Sequence, residues 1–273
     1  MRGLEIRASP ERPRVFDAHL HIVDPRFPLV ANAGYLPPAF TVTQYRERVA
    51  GMRIEGGAVV SGSFQAFDQC YLLDALARLG PGFVGVTQLP QTVLDAEILE
   101  LAAAGVCAVR FNARRGGSAE LADLDRLARR VHEIAGWHVE LYIDSRDLAA
   151  VESVVAALPA VSVDHLGLSA DGLPTLLRLV ERGVRVKATG FGRVDLAPAA
   201  AMAAIARANP AALMFGTDLP STRARRPFED DDLALVREVA GERALWQNAA
   251  EFYAGPTPTT PPVAAEQQDG TAS

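Results

Sequence analysis

Two histidines stand two residues apart behind an apolar run near the start of the chain, in the stretch "RVFDAHLHIVDP". Alternate residues of a β-strand point to the same face, so His19 and His21 are expected to converge on one point. Two imidazoles at the end of an apolar strand are costly to bury unless a polar partner satisfies both. The spacing therefore predicts a functional site that includes this pair.

Other side chains able to do chemistry follow the later apolar runs of the chain. They are Ser61, Ser63, Arg110, Asn112, Tyr142, His165, Thr189, Arg193 and Asp218. Asp218, in "GTDLP", is either a carboxylate that activates water or the cap of the next helix. Arg110 would need an anion if buried, either a substrate carboxylate or a neighbouring acid such as Asp144. We assign His132 and His138 to surface or packing roles.

Eight short β-rich runs, bounded by glycine, proline or polar turns, position these residues. The runs are "RVFDAHLHI", "GGAVVSG", "FVGVTQ", "GVCAVRFN", "HVELYID", "AVSVDHLG", "VRVKATG" and "ALMFGTD". Amphipathic helical patterns lie between them, for example over residues 118–136 and 144–158. Eight such units predict one α/β domain, a (β/α)8 TIM barrel over residues 15–253, with its active site at the carboxyl ends of the strands. An open doubly wound sheet would be favoured by a GxGxxG turn after the first strand, which the sequence lacks.

Composition restricts the class of protein further. The chain has 273 residues, of which 49% are hydrophobic and 22% charged, and its net charge of −6 argues against a nucleic-acid partner. Two cysteines suit a cytoplasmic protein, and no apolar run approaches the length of a membrane span. Residues 1–14 are expected to be an N-terminal extension without a secretory signal, and residues 254–273 a disordered tail. The sequence leaves the oligomeric state open.

Three of the motifs together resemble the amidohydrolase superfamily: "FDAHLHI", "VDHLG" and "GTDLP". Two further motifs, "GVCAVRFN" and "WHVELYI", are similar to the branch that contains the 2-pyrone-4,6-dicarboxylate lactonases and related lactonases. The resemblance covers roughly residues 15–253. It implies a (β/α)8 barrel and a hydrolase that opens the ring of a small carboxylated lactone.

The resemblance also bears on metal binding. Lys187, the only lysine of the chain, falls on the seventh strand, so the carboxylated lysine that bridges two metals after strand 4 in some members is excluded. Tyr142 or Asp144 stands where metal-dependent members have a histidine after strand 5. The residues left for one zinc ion are His19, His21, His165 and Asp218. Because the lactonase branch is understood to use such residues without metal, we expect no cofactor, with one zinc as the alternative.

Ester hydrolysis needs a base for the attacking water and donors for the developing oxyanion. We expect Asp218 to be the base, made more basic by desolvation, and His19, His21 and His165 to polarise the lactone carbonyl. The expected substrate-binding residues are Ser63, Arg110, Arg115, Tyr142, Arg193 and Arg223. The loop "GTDLPSTRARRPF" departs from the dicarboxylate enzymes, so Arg223 could read another acidic group, for instance on a muconolactone-like compound. The alternatives are a zinc-dependent amidohydrolase or decarboxylase and, last, a barrel that only binds a small acid.

Overall fold

Eight strands pair in parallel, each with the next along the chain, in the computed structural model of the protein, which describes residues 12–254. They are β1 (Arg14–Leu20), β2 (Arg53–Val60), β3 (Phe83–Thr87), β4 (Val106–Phe111), β5 (His138–Leu141), β6 (Val161–Val163), β7 (Arg185–Ala188) and β8 (Leu213–Phe215). The predicted tail, except residue 254, and the predicted extension, except residues 12–14, lie outside the described residues.

Backbone hydrogen bonds join the carboxyl end of β1 to the residues that follow β8. The backbone amide of Asp218 donates to the carbonyl of His19 at 2.7 Å, and that of His21 donates to the carbonyl of Leu219 at 2.8 Å. The sheet is thereby a nearly closed barrel, which confirms the predicted (β/α)8 fold.

Helices connect the strands on the outside of the barrel. They are α1 (Val42–Arg48), α2 (Cys70–Leu79), α3 (Asp95–Ala103), α4 (Leu124–Ala135), α5 (Glu152–Val155), α6 (Leu173–Glu181), α7 (Pro198–Ala208), α8 (Asp230–Leu245) and α9 (Gln247–Tyr253). In α4 the buried residues recur at three- and four-residue spacing, as Leu124, Leu127, Ala128 and Val131. That stripe packs into the hydrophobic core between the helices and the strands.

The sequence predicts one continuous helix over residues 144–158, and this prediction is wrong, because the segment is divided into two short elements. A 3₁₀ turn covers Ser145–Ala150, and only the short α5 follows it. Asp144 caps this turn, since its carboxylate accepts from the backbone amide of Arg146 at 3.1 Å. Ser145 Oγ also donates to the carbonyl of Ser169 at 2.8 Å. Such side-chain bonds to the backbone compete with a regular helix.

Charged side chains from the strands meet inside the barrel beneath the predicted site. Arg110 on β4, Glu140 on β5 and Lys187 on β7 are all nearly or fully buried.

Helix α9 is the last element of the described residues. Its Tyr253 stacks on Phe16 of β1, with 5.1 Å between the ring centroids. Within residues 12–254 no helix combines the length and the apolar character needed to cross a membrane.

Candidate active site

The two histidines at the end of β1 lie side by side, as their spacing predicts. The ring centroids of His19 and His21 are 4.9 Å apart. Nδ1 of His21 lies 2.7 Å from the carbonyl oxygen of Val60, an acceptor, so this nitrogen carries a proton. The Nε2 atoms of His21 and His19 face Oδ1 of Asp218 at 3.7 and 3.9 Å. Asp218 therefore joins the pair across the closure of the barrel.

Asp218 is held in an unusual backbone conformation and in an ion pair. Its φ of 57° lies in the left-handed region, which costs a non-glycine residue on the order of 1 kcal/mol and is common at functional sites. Nε of Arg193 lies 2.6 Å from Oδ2, while Oδ1 accepts no hydrogen bond from any described residue. Burial alone would raise the pKa of the Asp218 carboxyl, but Arg193 and the neighbouring histidines lower it well below its usual range. The prediction that desolvation makes Asp218 more basic is therefore wrong for the protein without substrate.

His165 completes the cluster of imidazoles. Its backbone is also left-handed, with φ of 52°, and its ring lies 4.8 Å from that of His19. A Cβ on Gly190 would come within 2.5 Å of Nδ1 of His165, so only glycine leaves space for this ring. Burial lowers the pKa of His19 to about 4 and that of His165 well below its usual value. Both rings are therefore neutral near pH 7.

Arg110 has an acidic partner inside the barrel, and the partner is Asp164. Nη2 of Arg110 lies 2.7 Å from Oδ2 of Asp164, and its Nη1 donates to the carbonyl of Ser61 at 2.7 Å. Asp144, the acid considered from sequence, pairs instead with Arg146 at 2.8 Å. The argument that Arg110 needs a substrate carboxylate to balance its charge therefore does not hold, although its side chain lines the cavity described below.

Lys187 lies directly behind the histidines. Its Nζ is 2.5 Å from Oε2 of Glu140, 3.3 Å from Nδ1 of His19 and 3.6 Å from Oδ1 of Asp164. The other oxygen of Glu140 accepts from the hydroxyl of Tyr253 at 2.6 Å. Burial raises the pKa of Glu140, but Lys187 and His138 outweigh it, and the pKa falls to about 2. Sequence reasoning missed this network, although a lysine and a glutamate within buried strands were a visible signal.

A cavity opens above the histidines. It brings together all six residues predicted to bind substrate: Ser63, Arg110, Arg115, Tyr142, Arg193 and Arg223. His21 and His165 also line it, whereas His19 and Asp218 lie at its base and are 0% and 1% exposed. The predicted residues thus form one site at the carboxyl ends of the strands.

Tyr35 is a lining residue that sequence reasoning missed. It comes from the long connection between β1 and α1, and its ring lies 4.4 Å from the guanidinium carbon of Arg223. Arg223 also donates to Oδ1 of Asn32 at 3.0 Å. A single tyrosine in an irregular loop has no periodicity that could have identified it.

The same side chains could hold a metal ion. The ligand atoms of His19, His21 and Asp218 lie within 4.8 Å of one another, and so do those of His19, Asp164 and His165. Nε2 of His19 and Oδ1 of Asp218 are buried and have no hydrogen-bond partner among the described residues. By position, one cation fits the first group. His165 falls in the second group, so the four ligands considered from sequence do not form one set.

Named proteins are similar to this chain in sequence, and a solved structure is similar to it in fold. A 2-pyrone-4,6-dicarbaxylate hydrolase of Comamonas testosteroni is 30% identical over 175 residues, which cover 60% of this chain and 57% of that protein. A 4-sulfomuconolactone hydrolase of Rhizobium radiobacter is 26% identical over 84% of this chain and 85% of its own length. The solved structure of a probable 2-pyrone-4,6-dicarboxylic acid hydrolase from Acinetobacter baumannii, 22% identical, superposes with a TM-score of 0.76 over 88% of this chain and 99% of that one.

The family comparison covers nearly the whole barrel. The model of the Amidohydrolase family (Amidohydro_2) matches residues 16–255, from the middle of β1 to just past α9. That range contains every residue of the histidine cluster and of the cavity. The chain belongs to the amidohydrolase family.

Proposed function

We propose that the protein hydrolyses the ring ester of a small carboxylated lactone, with Asp218 as the base that activates water. One observation carries the proposal. Oδ1 of Asp218 is buried, has no hydrogen-bond partner among the described residues, and faces Nε2 of His21 and of His19 at 3.7 and 3.9 Å. At those separations, a water oxygen lying to one side of the pair can be within hydrogen-bond distance of both Oδ1 and an Nε2 atom.

The reaction follows from this arrangement. Water attacks the lactone carbonyl carbon while its proton moves to Oδ1 of Asp218, and His19 and His165 donate hydrogen bonds to the developing oxyanion. The tetrahedral intermediate then collapses, the bond between the carbonyl carbon and the ring oxygen breaks, and protonated Asp218 returns its proton to that oxygen. The product is a hydroxy acid, and the enzyme recovers its starting protonation state.

We give His21 a different role from the one expected from sequence. Its Nδ1 proton is directed at the carbonyl of Val60, so in the form with a single ring proton Nε2 presents a lone pair. A lone pair accepts a hydrogen bond and cannot stabilise an oxyanion. His21 is therefore suited to orient the attacking water beside Asp218, while the carbonyl lies nearer to His19 and His165.

The arginines of the cavity support an acidic substrate. Arg115 and Arg223 line the cavity, and both also line an adjoining depression together with Arg114, Arg225 and two acids, Asp144 and Asp195. Clustered guanidinium groups bind carboxylates and other oxyanions in bidentate geometry. The named relatives act on a pyrone dicarboxylate and on a sulfomuconolactone, both acidic ring esters. We extend that substrate class to this chain, with a muconolactone-like acid as the first compound to test.

The charges around the histidines favour catalysis without a metal. Among residues 12–254 three cations each meet a carboxylate here: Arg110 with Asp164, Lys187 with Glu140, and Arg193 with Asp218. A divalent cation would add two positive charges to a buried cluster that is already balanced. If one were bound, His19, His21 and Asp218 would hold it, and it would supply Lewis-acid polarisation of the carbonyl. A metal-dependent hydrolase is therefore the second candidate, based on the position of these ligand atoms.

A screen of acidic lactones, each paired with its neutral methyl ester, tests the proposal. We expect hydrolysis of an acidic lactone that persists in chelator, with no stoichiometric metal by elemental analysis. Asp218→Asn should lower kcat by at least about a hundredfold while substrate still binds. Asp24→Asn is the matched control, because Asp24 is also a buried carboxylate but pairs with Arg26 outside the cavity lining. Near-normal turnover by Asp218→Asn would refute the mechanism, and activity that needs a bound metal would favour the second candidate.

A further inference from the structure

We propose that Lys187 is a positioning residue: its ammonium group donates to Nδ1 of His19 and so places the single proton of that ring on Nε2, the nitrogen that faces Asp218. The consequence for catalysis rests on the proposed function, whereas the tautomer itself does not. Nothing in the sequence pattern assigns this lysine a role, and its side chain does not line the cavity.

Lys187, on β7, is held by contacts with side chains of two other strands. His19 on β1, Glu140 on β5 and Lys187 on β7 come from odd-numbered strands, which contribute side chains to the same layers of a (β/α)8 barrel. That interior is ordinarily filled by branched apolar residues. Here a lysine with no exposed surface lies 2.5 Å from Oε2 of Glu140 and 3.3 Å from Nδ1 of His19. A buried charge persists only where such partners satisfy it.

The partner of the ammonium is itself held in place from the far end of the chain. Tyr253, on the last helix, donates its one hydroxyl hydrogen to Oε1 of Glu140 at 2.6 Å, and its hydroxyl oxygen lies 3.1 Å from the carbonyl oxygen of Ala18. Nε2 of His138 lies 3.4 Å from the same Oε1. Glu140 is therefore ionised and oriented, and it leaves Lys187 with hydrogens free to reach His19. The resulting chain of contacts runs from Tyr253 through Glu140 and Lys187 to His19.

The tautomer of His19 follows from the donor character of lysine. An ammonium has three hydrogens and no lone pair, so a contact at 3.3 Å requires Nδ1 of His19 to be the acceptor. A neutral imidazole with a lone pair on Nδ1 has its proton on Nε2. The competing arrangement would have Nδ1 donate to Oδ1 of Asp164, also at 3.3 Å. That oxygen also faces the ammonium of Lys187 at 3.6 Å, and the other oxygen of Asp164 pairs with Arg110, so the carboxylate charge is compensated without a proton on Nδ1.

The Nε2–H tautomer determines what His19 can do. A proton on Nε2 is a hydrogen-bond donor for an oxyanion, which supports the carbonyl-polarising role. A metal ion would need the lone pair on Nε2, and metal-bound histidines usually donate their other ring proton to an acceptor. Asp164 is such an acceptor, but a lone pair on Nδ1 that faces the Lys187 ammonium leaves this nitrogen no proton to donate to it. Lys187 thus favours His19 as a donor to substrate over His19 as a metal ligand.

The ¹⁵N chemical shifts of the histidine ring nitrogens in the full-length protein, without substrate, test the inference. The chain has five histidines, and comparison with His19→Gln identifies the signals of His19. We expect a protonated Nε2 and an unprotonated Nδ1. The double variant Lys187→Met with Glu140→Gln, which leaves no unpaired charge from this ion pair, should move the proton to Nδ1 beside Asp164. Glu140→Gln alone keeps the ammonium and should keep the wild-type tautomer.

Kinetics provide the second measurement. The double variant should lower kcat by about tenfold or more with little change in KM, because the oxyanion exists only in the transition state. A protonated Nδ1 in the wild type, or an unchanged tautomer in a folded double variant, would overturn the inference. If the double variant does not fold, the wild-type spectrum alone decides. A protein that hydrolyses no lactone but shows the expected tautomer switch would refute the proposed function and leave this inference standing.

Discussion

Arg193 Nε lies 2.6 Å from Oδ2 of Asp218, so the proposed base is already paired with a cation in the protein without substrate. The guanidinium also lines the cavity, where an acidic substrate would compete for it. Binding of a carboxylated lactone is therefore expected to weaken this ion pair and to return basicity to Asp218. The preference for acidic substrates and the activation of the base would then depend on the same arginine.

The pH dependence of kcat/KM tests the link between these two residues. Because Arg193 lowers the pKa of the Asp218 carboxyl, Arg193→Gln should raise that pKa. The raising effect of burial is then no longer offset by the guanidinium. The base acts when it is deprotonated, so the acidic limb of the profile should move to higher pH. We also expect kcat/KM at neutral pH to fall by about ten- to a hundredfold, the value of a lost charged hydrogen bond. Arg193→Lys keeps the positive charge and should move the limb less. An acidic limb that does not move in Arg193→Gln would contradict the assignment of Asp218 as the base.

Arg223 is the clearest test of how the acidic group is recognised. Its guanidinium is held by Tyr35 and Asn32 at the cavity mouth, and within residues 12–254 it forms no ion pair with an acid, so its charge is available to substrate. Arg223→Gln should raise KM for an acidic lactone by about tenfold or more and leave the matched methyl ester little changed. Arg146→Gln is a control, since Arg146 pairs with Asp144 away from the histidines. Equal losses on the acid and its ester would show that Arg223 has only a structural role.

The pattern of strands and polar strand ends predicted the fold, because it follows from local periodicity. Together with the family resemblance it also predicted six lining residues of the cavity, although not Tyr35. The pairing of charges inside the barrel could not be predicted in the same way. Arg110 and Asp164 are 54 positions apart in the sequence. Only the folded sheet brings Nη2 of Arg110, on β4, to 2.7 Å from Oδ2 of Asp164, which directly follows β6. Arg110→Met would leave Asp164 without its guanidinium, so a loss of activity in that variant would mix substrate binding with stability.

The local conformation of the site was also beyond the sequence pattern. Nothing in "GTDLP" or "VDHLG" indicates that Asp218 and His165 adopt left-handed backbones, which direct the two side chains into the site. The depressed pKa of Asp218 likewise depends on Arg193, which comes from the connection after β7. Composition and spacing identify which residues can react, but their mutual contacts set the protonation states.

Buried neutral histidines should make the protein less stable in mild acid. Burial lowers the pKa of His19 to about 4, and the pKa of His138 is also lowered by burial. As pH falls below about 6.5, the unfolded chain takes up protons that the folded protein does not, so the free energy of unfolding decreases. For His19 alone the loss down to pH 4 is about 3 kcal/mol.

Asp17 acts in the opposite direction over part of this range. Burial raises its pKa to about 6, so the folded protein takes up a proton there before the unfolded chain does, which stabilises it as pH falls. Urea denaturation at about pH 7 and about pH 5 measures the balance. We expect a lower free energy of unfolding at the acidic value and a smaller difference in His19→Gln. A pH effect of the same size in His19→Gln and in the wild type would contradict the assignment of a neutral buried His19.

Gly190 offers a way to move His165 without changing any group that reacts. A Cβ at this position would lie 2.5 Å from Nδ1 of His165 and 3.2 Å from Cδ of Arg193, so Gly190→Ala must displace the ring. Displacement of a catalytic group by about 1 Å can cost on the order of a hundredfold in rate, and we expect kcat to fall by about tenfold or more. The backbone at Gly190 is left-handed, with φ of +63°, so the variant should also lose on the order of 1 kcal/mol of stability.

Gly183→Ala separates the two effects, because Gly183 has φ of +100° and a Cβ added there would meet no described atom within 4 Å. Both variants should melt at lower temperature than the wild type, but only Gly190→Ala should lose kcat. A Gly190→Ala protein with unchanged kcat would show that the position of the His165 ring is not needed for turnover.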